Sequence, residues 1–119
     1  MLRPGGRIAY FNIFIAPDAS PDERQSFVQE QPELYSRAEQ AALLRNAGFV
    51  RIVETDVTAE YRRTQAALYE ASARHERALR RTRGSEDFDN SQRFRLHRLE
   101  GIDAGIVRRS LFVAERPTP

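Results

Sequence analysis

The sequence has no cysteine, no lysine and no tryptophan. Without cysteine there is no disulfide, no thiolate nucleophile and no cysteine-based zinc or iron–sulfur site. Redox compartment is left open by that absence. The missing lysine is of a different kind: all 19 basic residues are Arg, a usage that fits a GC-rich coding sequence better than selection for a ligand. Against 17 acidic residues the net charge is only +2, too small to point to an acidic partner. No apolar run approaches the ~18 residues needed to span a bilayer, and the opening Met1-Leu2-Arg3-Pro4-Gly5-Gly6 lacks the charged-then-apolar order of a signal peptide. A soluble, cytoplasmic protein with no membrane partner is the expectation.

What is present is globular. The 119 residues are 40% hydrophobic and 30% charged, too apolar for a disordered tail. A chain of this length makes one domain or less, burying roughly two-thirds of its unfolded surface.

Arg7-Ile8-Ala9-Tyr10-Phe11-Asn12-Ile13-Phe14-Ile15 is a nearly continuous β-prone run entered through the turn Arg3-Pro4-Gly5-Gly6. A strand apolar on both faces belongs in a covered, mostly parallel sheet. Ser20-Pro21-Asp22-Glu23 is a capping box with Pro at the first helical position, predicting a helix to about Gln31, where Pro32 breaks it. Ser36-Arg37-Ala38-Glu39 is a second capping box. It opens a helix over 37–47 with Ala38, Ala41, Ala42 and Leu44 on one face and Gly48 at its C-cap. A second strand is expected over 49–58. One helix is expected over 59–83, with Tyr61, Leu68, Ser72, His75 and Leu79 on one stripe and Gly84 ending it. Ser85 is expected to cap a further helix with Phe88, Leu99, Ile102 and Ile106 inward, and a third strand spans 109–115. The first two strands, joined through a helix, fit a parallel crossover.

In this order the motifs resemble a family. Leu2-Arg3-Pro4-Gly5-Gly6-Arg7-Ile8 is similar to the segment that opens the fifth strand of class I S-adenosylmethionine-dependent methyltransferases, and Leu43-Leu44-Arg45-Asn46-Ala47-Gly48-Phe49 to the exit of the following helix. Residues 50–57 then resemble the sixth strand. Arg109-Ser110-Leu111-Phe112-Val113-Ala114 resembles the closing strand, which in that fold is antiparallel and inserts between the fifth and sixth. The resemblance implies an α/β fold: the C-terminal half of a Rossmann-like methyltransferase sheet, with about three strands, the last antiparallel, and about four helices. It divides the chain into a strand–helix–strand unit over 1–58, a helical insertion over 59–107 and a closing strand over 108–116.

The implied activity is methyl transfer to a small-molecule acceptor by in-line attack on the sulfonium methyl, with the protein supplying position more than acid–base chemistry. The implied cofactor is S-adenosylmethionine, which the family holds at a Gly-rich turn after its first strand. No G-x-G-x-G occurs in this sequence. Gly5 and Gly6 precede a strand instead of following one, so no cofactor-binding residue carries over, no catalytic residue is assigned, and activity of the chain alone is doubtful. A start inside the turn before a central strand is what a truncated reading frame gives, so a longer parent protein is expected. The alternative is a catalytically incomplete fragment or interaction subunit. Its strand over 8–15, from Ile8 to Ile15, would pair with a cofactor-binding, N-terminal-half partner chain or with a second copy, since an unpaired apolar edge invites pairing.

In open α/β sheets ligands lie over the carboxyl ends of the strands, which makes Asn12, Phe14 and Asp18 the candidates for facing a substrate or cofactor edge. The alternative places Phe14 in the core and leaves Asp18 a solvated loop carboxylate. His75 and His97 lack metal-ligand spacing, and Glu86, Asp87 and Asp89 read as N-terminal helix charge; no metal site is expected. The seven Arg of 59–83 are spread around the helix with no aromatic stacking platform, so nucleic acid is not an expected partner.

Overall fold

The computed structural model describes residues 3–30 and 37–118. They contain β1 (Arg7–Ile15), α1 (Pro21–Glu30), α2 (Arg37–Asn46), β2 (Val50–Asp56), α3 (Thr58–Arg74), α4 (Glu76–Arg83), α5 (Ser85–Asp103) and β3 (Val107–Glu115). The chain divides into two compact units, one of Met1–Thr58 with Ile106–Pro119 and one of Ala59–Gly105.

In the strand unit, Pro4 and Gly5 occupy the centre of the turn into β1. Gly5 takes a φ of 78°, the conformation a type II turn requires at its third residue, and the Gly6 amide donates to the Arg3 carbonyl at 2.8 Å. The capping box of α1 forms as its residues demand: the Glu23 amide donates to Ser20 Oγ at 3.1 Å and the Ser20 amide to Glu23 Oε1 at 2.8 Å. The second capping box begins at Ser36, outside the described residues. The α2 helix ends in a Schellman motif, with Phe49 N–H on the Leu44 carbonyl and Gly48 N–H on the Arg45 carbonyl, both at 3.0 Å. Gly48 supplies the φ of 90° that this exit needs.

The sheet order is β1-β3-β2, and β3 runs antiparallel to both neighbours. β1 and β2 are therefore parallel to each other with the closing strand between them, the arrangement that the order of motifs implies. One face of this sheet is covered. Leu44 of α2 meets Phe112 and Ala114 of β3, with Ile8, Tyr10, Phe49 and Ile52 around them. Tyr10 stacks on Phe112 at 5.5 Å and its hydroxyl donates to Gln40 Oε1 at 3.0 Å. Burial raises the Tyr10 pKa.

The opposite face is open around Phe11 and Val53 and closed at its other end, where Ile15 and Val107 are buried. Phe11 and Val53 are 54% and 56% exposed, on either side of Leu111 and Val113 in the strand register. At one end of this face Glu115 forms ion pairs with Arg7 at 3.3 Å and Arg51 at 3.2 Å. Arg51 sits at a φ of 53° where the register of β2 shifts between Val50 and Val53, the mark of a β-bulge. Among the described residues β1 pairs only with β3, so its outer edge carries no partner strand.

In the helical unit, α3 and α5 run in opposite directions. Arg62 holds Asp103 through two hydrogen bonds of 2.6 and 3.0 Å, and Gln92 donates to the Tyr69 carbonyl at 3.0 Å. Arg80 of α4 joins Glu76 and Asp89, each at 2.8 Å, and its guanidinium lies 4.6 Å from the centre of the Phe88 ring.

Four expectations are corrected here. The helix expected over 59–83 is two helices, interrupted at His75, whose φ of −106° and ψ of 22° depart from helical values while its amide still donates to the Ala71 carbonyl at 3.1 Å and its carbonyl accepts from Leu79 at 3.0 Å. With α4 counted separately, the described residues hold five helices. On the expected stripe Tyr61 is buried and Leu68 is 44% exposed. Ser85 is the first residue of α5 and not its cap, because Gly84, at a φ of 91°, makes the turn and accepts the first helical bond from Phe88 at 3.1 Å. Ile106 lies beyond the helix, which ends at Asp103 before Gly105 turns at a φ of 77°.

Candidate functional site

The carboxyl end of β1 is where an open α/β sheet presents its ligand site. Asn12 sits there beside Ser110 in the β1–β3 register. Both point to the covered face, and both carry a buried polar atom without a hydrogen-bond partner among the described residues: Asn12 Nδ2 and Ser110 Oγ. An unsatisfied buried donor costs about 1–3 kcal/mol, so two such atoms side by side in a sheet call for an acceptor or donor that the described protein does not provide.

Next along the strand, Phe14 is buried with Ile15 and Ala16, and the Ala16 amide donates to the Ile106 carbonyl at 2.7 Å. Asp18 is exposed in the following turn. The sequence names Asn12, Phe14 and Asp18; the structure brings Ser110, Arg108 and Asp56 to the same end. Register sets Arg108 opposite Phe14 and Asp56 opposite Ser110. Arg108 donates from Nη2 to Asp56 Oδ2. Ser110 was missed because nothing local marks it. Only the pairing of strands nearly 100 residues apart places its hydroxyl against Asn12.

Asp56 is the strongly shifted acid of this end. Burial pushes its carboxyl up, but hydrogen bonds from Thr58 and Arg108 and the charge of Arg108 outweigh that and hold it at about 2. It is a fixed anion at neutral pH, unsuited to receive a proton in a reaction.

The turn at Gly5 and Gly6 does not fit S-adenosylmethionine. Its Gly-rich turn requires free amides facing a ligand, whereas the Gly5 amide donates to the Arg116 carbonyl at 2.8 Å and the Arg116 amide returns to Gly6 at 2.9 Å. A Cβ at Gly5 would meet Thr118 Cγ2 at 3.1 Å, so this turn closes on the chain's own tail. Two surface hollows of about 460 and 410 Å³ lie at that same end of the sheet, lined by Phe49 and Pro117 and by Arg7 and Thr118 respectively. That is the end opposite Asn12.

His75 is exposed at the helix break and His97 is half-buried in α5. Among the described residues no three His, Asp, Glu or Cys side chains are grouped to hold a metal, and no helix is long and apolar enough to cross a membrane. Glu86 and Asp87 lie in the first turn of α5.

No protein-family model matches the sequence and no curated protein matches it. Solved structures do. Phosphoethanolamine N-methyltransferase 2 of Haemonchus contortus, in complex with phosphomonomethylethanolamine and S-adenosylhomocysteine, superposes with a TM-score of 0.86 at 14% identity, over 98% of this chain and 28% of that one. A cyclopropane synthase of Mycobacterium tuberculosis gives 0.79 at 13% identity, over 97% of this chain and 46% of that one. Geranyl diphosphate C-methyltransferase of Streptomyces coelicolor, with Mg2+, geranyl diphosphate and S-adenosyl-L-homocysteine, gives 0.57 at 15% identity, over 97% of this chain and 38% of that one. The chain therefore has the fold of a class I, Rossmann-like methyltransferase. It corresponds to the C-terminal part of that fold and spans less than half the length of each of these proteins.

Proposed function

We propose that this chain is the substrate-side part of an S-adenosylmethionine-dependent methyltransferase that acts on a small-molecule acceptor in the cytoplasm. The observation that carries the reading is the strand order: an antiparallel β3 inserted between two parallel strands. Alongside it stand the unsatisfied Asn12 and Ser110 at the ligand-binding end of the sheet. Asn12, Phe14 and Asp18 lie on the acceptor side of the sheet, and residues 59–107 are a helical insertion between the second and third strands. The acceptors of the similar proteins, phosphomonomethylethanolamine and geranyl diphosphate, favour a small molecule over a macromolecule. The cofactor is held by residues outside this chain in this reading, because no G-x-G-x-G occurs in it and its one pair of adjacent glycines, Gly5 and Gly6, belongs to the turn before β1.

The second reading is an interaction subunit that pairs with a cofactor-binding chain or with itself. The free edge of β1 and the exposed Phe11 and Val53 favour it, since parallel strands are covered on both faces in sheets of this kind.

Photolabelling of source-cell extract with methyl-tritiated S-adenosylmethionine, followed by precipitation with an antibody raised against this chain, tests both. Label on a longer polypeptide that carries this sequence supports the first reading. Label on a separate chain that co-precipitates supports the second. Precipitate without label, from extract in which other methyltransferases are labelled, removes the methyltransferase reading.

A further inference from the structure

Arg98 of α5 is 3% exposed. Taking a guanidinium out of water costs several kcal/mol unless an anion and a full set of acceptors accompany it. Arg98 has neither among the described residues. Nη1 donates to the Tyr61 hydroxyl at 2.6 Å, and the guanidinium lies 5.0 Å from the Phe94 ring and 6.0 Å from the Tyr61 ring. No carboxylate pairs with it: Asp103, on the same helix, is committed to Arg62, and Glu100 is exposed. Nε is buried and has no acceptor.

One nitrogen of the group lacks a hydrogen-bond partner. Tyr61 takes Nη1, and the unpartnered Nε lies on the edge it shares with Nη2. That edge offers two parallel N–H bonds, the arrangement by which arginine takes a carboxylate or phosphate. Aromatic faces on the cation raise its tolerance of burial, with each contact worth about 0.5–2 kcal/mol, but they accept no hydrogen bond at Nε. Arg80, by contrast, meets both Glu76 and Asp89.

We propose that Arg98 is an oxyanion receptor, with Tyr61 as its positioning residue, for the carboxylate or phosphate of the methyl acceptor. Identifying the ligand as the acceptor rests on the methyltransferase reading. The anion site itself does not.

The test is a titration of the full chain with sodium phosphate and, separately, with sodium acetate, at constant ionic strength. It is followed by calorimetry and by the Arg98 Nε–H resonance, which burial keeps in slow exchange. Saturable binding with a Kd of about 1 mM or tighter is expected, with displacement of that resonance. Arg98→Met is expected to weaken it at least tenfold, Tyr61→Phe to weaken it less, and Arg93→Met, on the exposed face of α5, to leave it unchanged. Preference for phosphate identifies a phosphorylated acceptor, and preference for acetate a carboxylate one. Circular dichroism verifies folding; where Arg98→Met does not fold, the Nε resonance of the wild type and Tyr61→Phe decide.

No saturable binding of either anion by the folded wild type overturns the proposal, as does equal binding by a folded Arg98→Met. Anion binding by a protein that photolabelling never associates with S-adenosylmethionine would keep the receptor and discard the methyl acceptor as its ligand. Photolabelling without anion binding would do the reverse.

Discussion

The guanidinium of Arg109 lies 3.9 Å from the centre of the Phe11 ring, on adjacent strands whose register sets Ile13 opposite Arg109 and Phe11 opposite Leu111. The contact sits on the open face of the sheet, where solvent weakens it to about 0.5–1 kcal/mol. Phe11→Thr, which keeps a β-prone residue, should therefore cost the isolated chain no more than about 1 kcal/mol in urea unfolding. If this face is an interface, the same change should weaken association at least about tenfold, as loss of an aromatic anchor does. Sedimentation of wild type and variant over a range of concentrations reads the self-association arm, and co-purification with the labelled partner reads the other. A variant that unfolds the chain while leaving association intact would place Phe11 in the core instead.

Asp56 predicts a pH dependence. Its folded carboxyl stands at about 2 against an ordinary 3.8, a depressed value. The stabilisation is thus complete above the unfolded pKa and is lost as pH falls from about 4 through about 2. Because the group is about one-third exposed, solvent screening reduces its worth to about 1 kcal/mol. Asp56→Asn should be less stable than wild type by that amount at neutral pH, and the difference should vanish near pH 2. Denaturant midpoints measured at several pH values check the sign; a gap that widens on acidification contradicts it.

Gly48 carries the exit of α2. Nothing lies within 4 Å of a Cβ built there, so Gly48→Ala meets no clash and pays only for a side chain at positive φ, about 1–2 kcal/mol. Gly48→Asn should cost less, because asparagine tolerates this conformation. Thermal unfolding of the two variants gives the order directly.

How much of this was legible depended on the range of the interaction. Ser20 with Glu23, and Gly48 after Leu44, are local devices, and the sequence states them outright. The insertion of β3 between β1 and β2 was legible only through resemblance, since nothing in Arg109-Ser110-Leu111 says which strands it will join. His75 shows the opposite failure: no glycine or proline stands beside it, and the helical pattern runs through it unbroken, so a one-residue interruption left no mark. Asn12 could be named from its place at the end of a strand. Ser110 and the unpartnered Nε of Arg98 could not, because an unsatisfied atom is a property of three-dimensional neighbours. The open face of β1 was half-visible, as an apolar strand that would need covering on both sides.

The central claim is that this chain has the sheet of a methyltransferase without its cofactor site, and calorimetric titration of S-adenosylhomocysteine into the chain on its own tests it most directly. The account predicts no saturable heat up to about 1 mM ligand, where even weak specific binding would register, while the protein remains folded by circular dichroism. Binding with a Kd below about 100 μM would contradict it, and would mean that a cofactor site had been built from residues other than the Gly-rich turn.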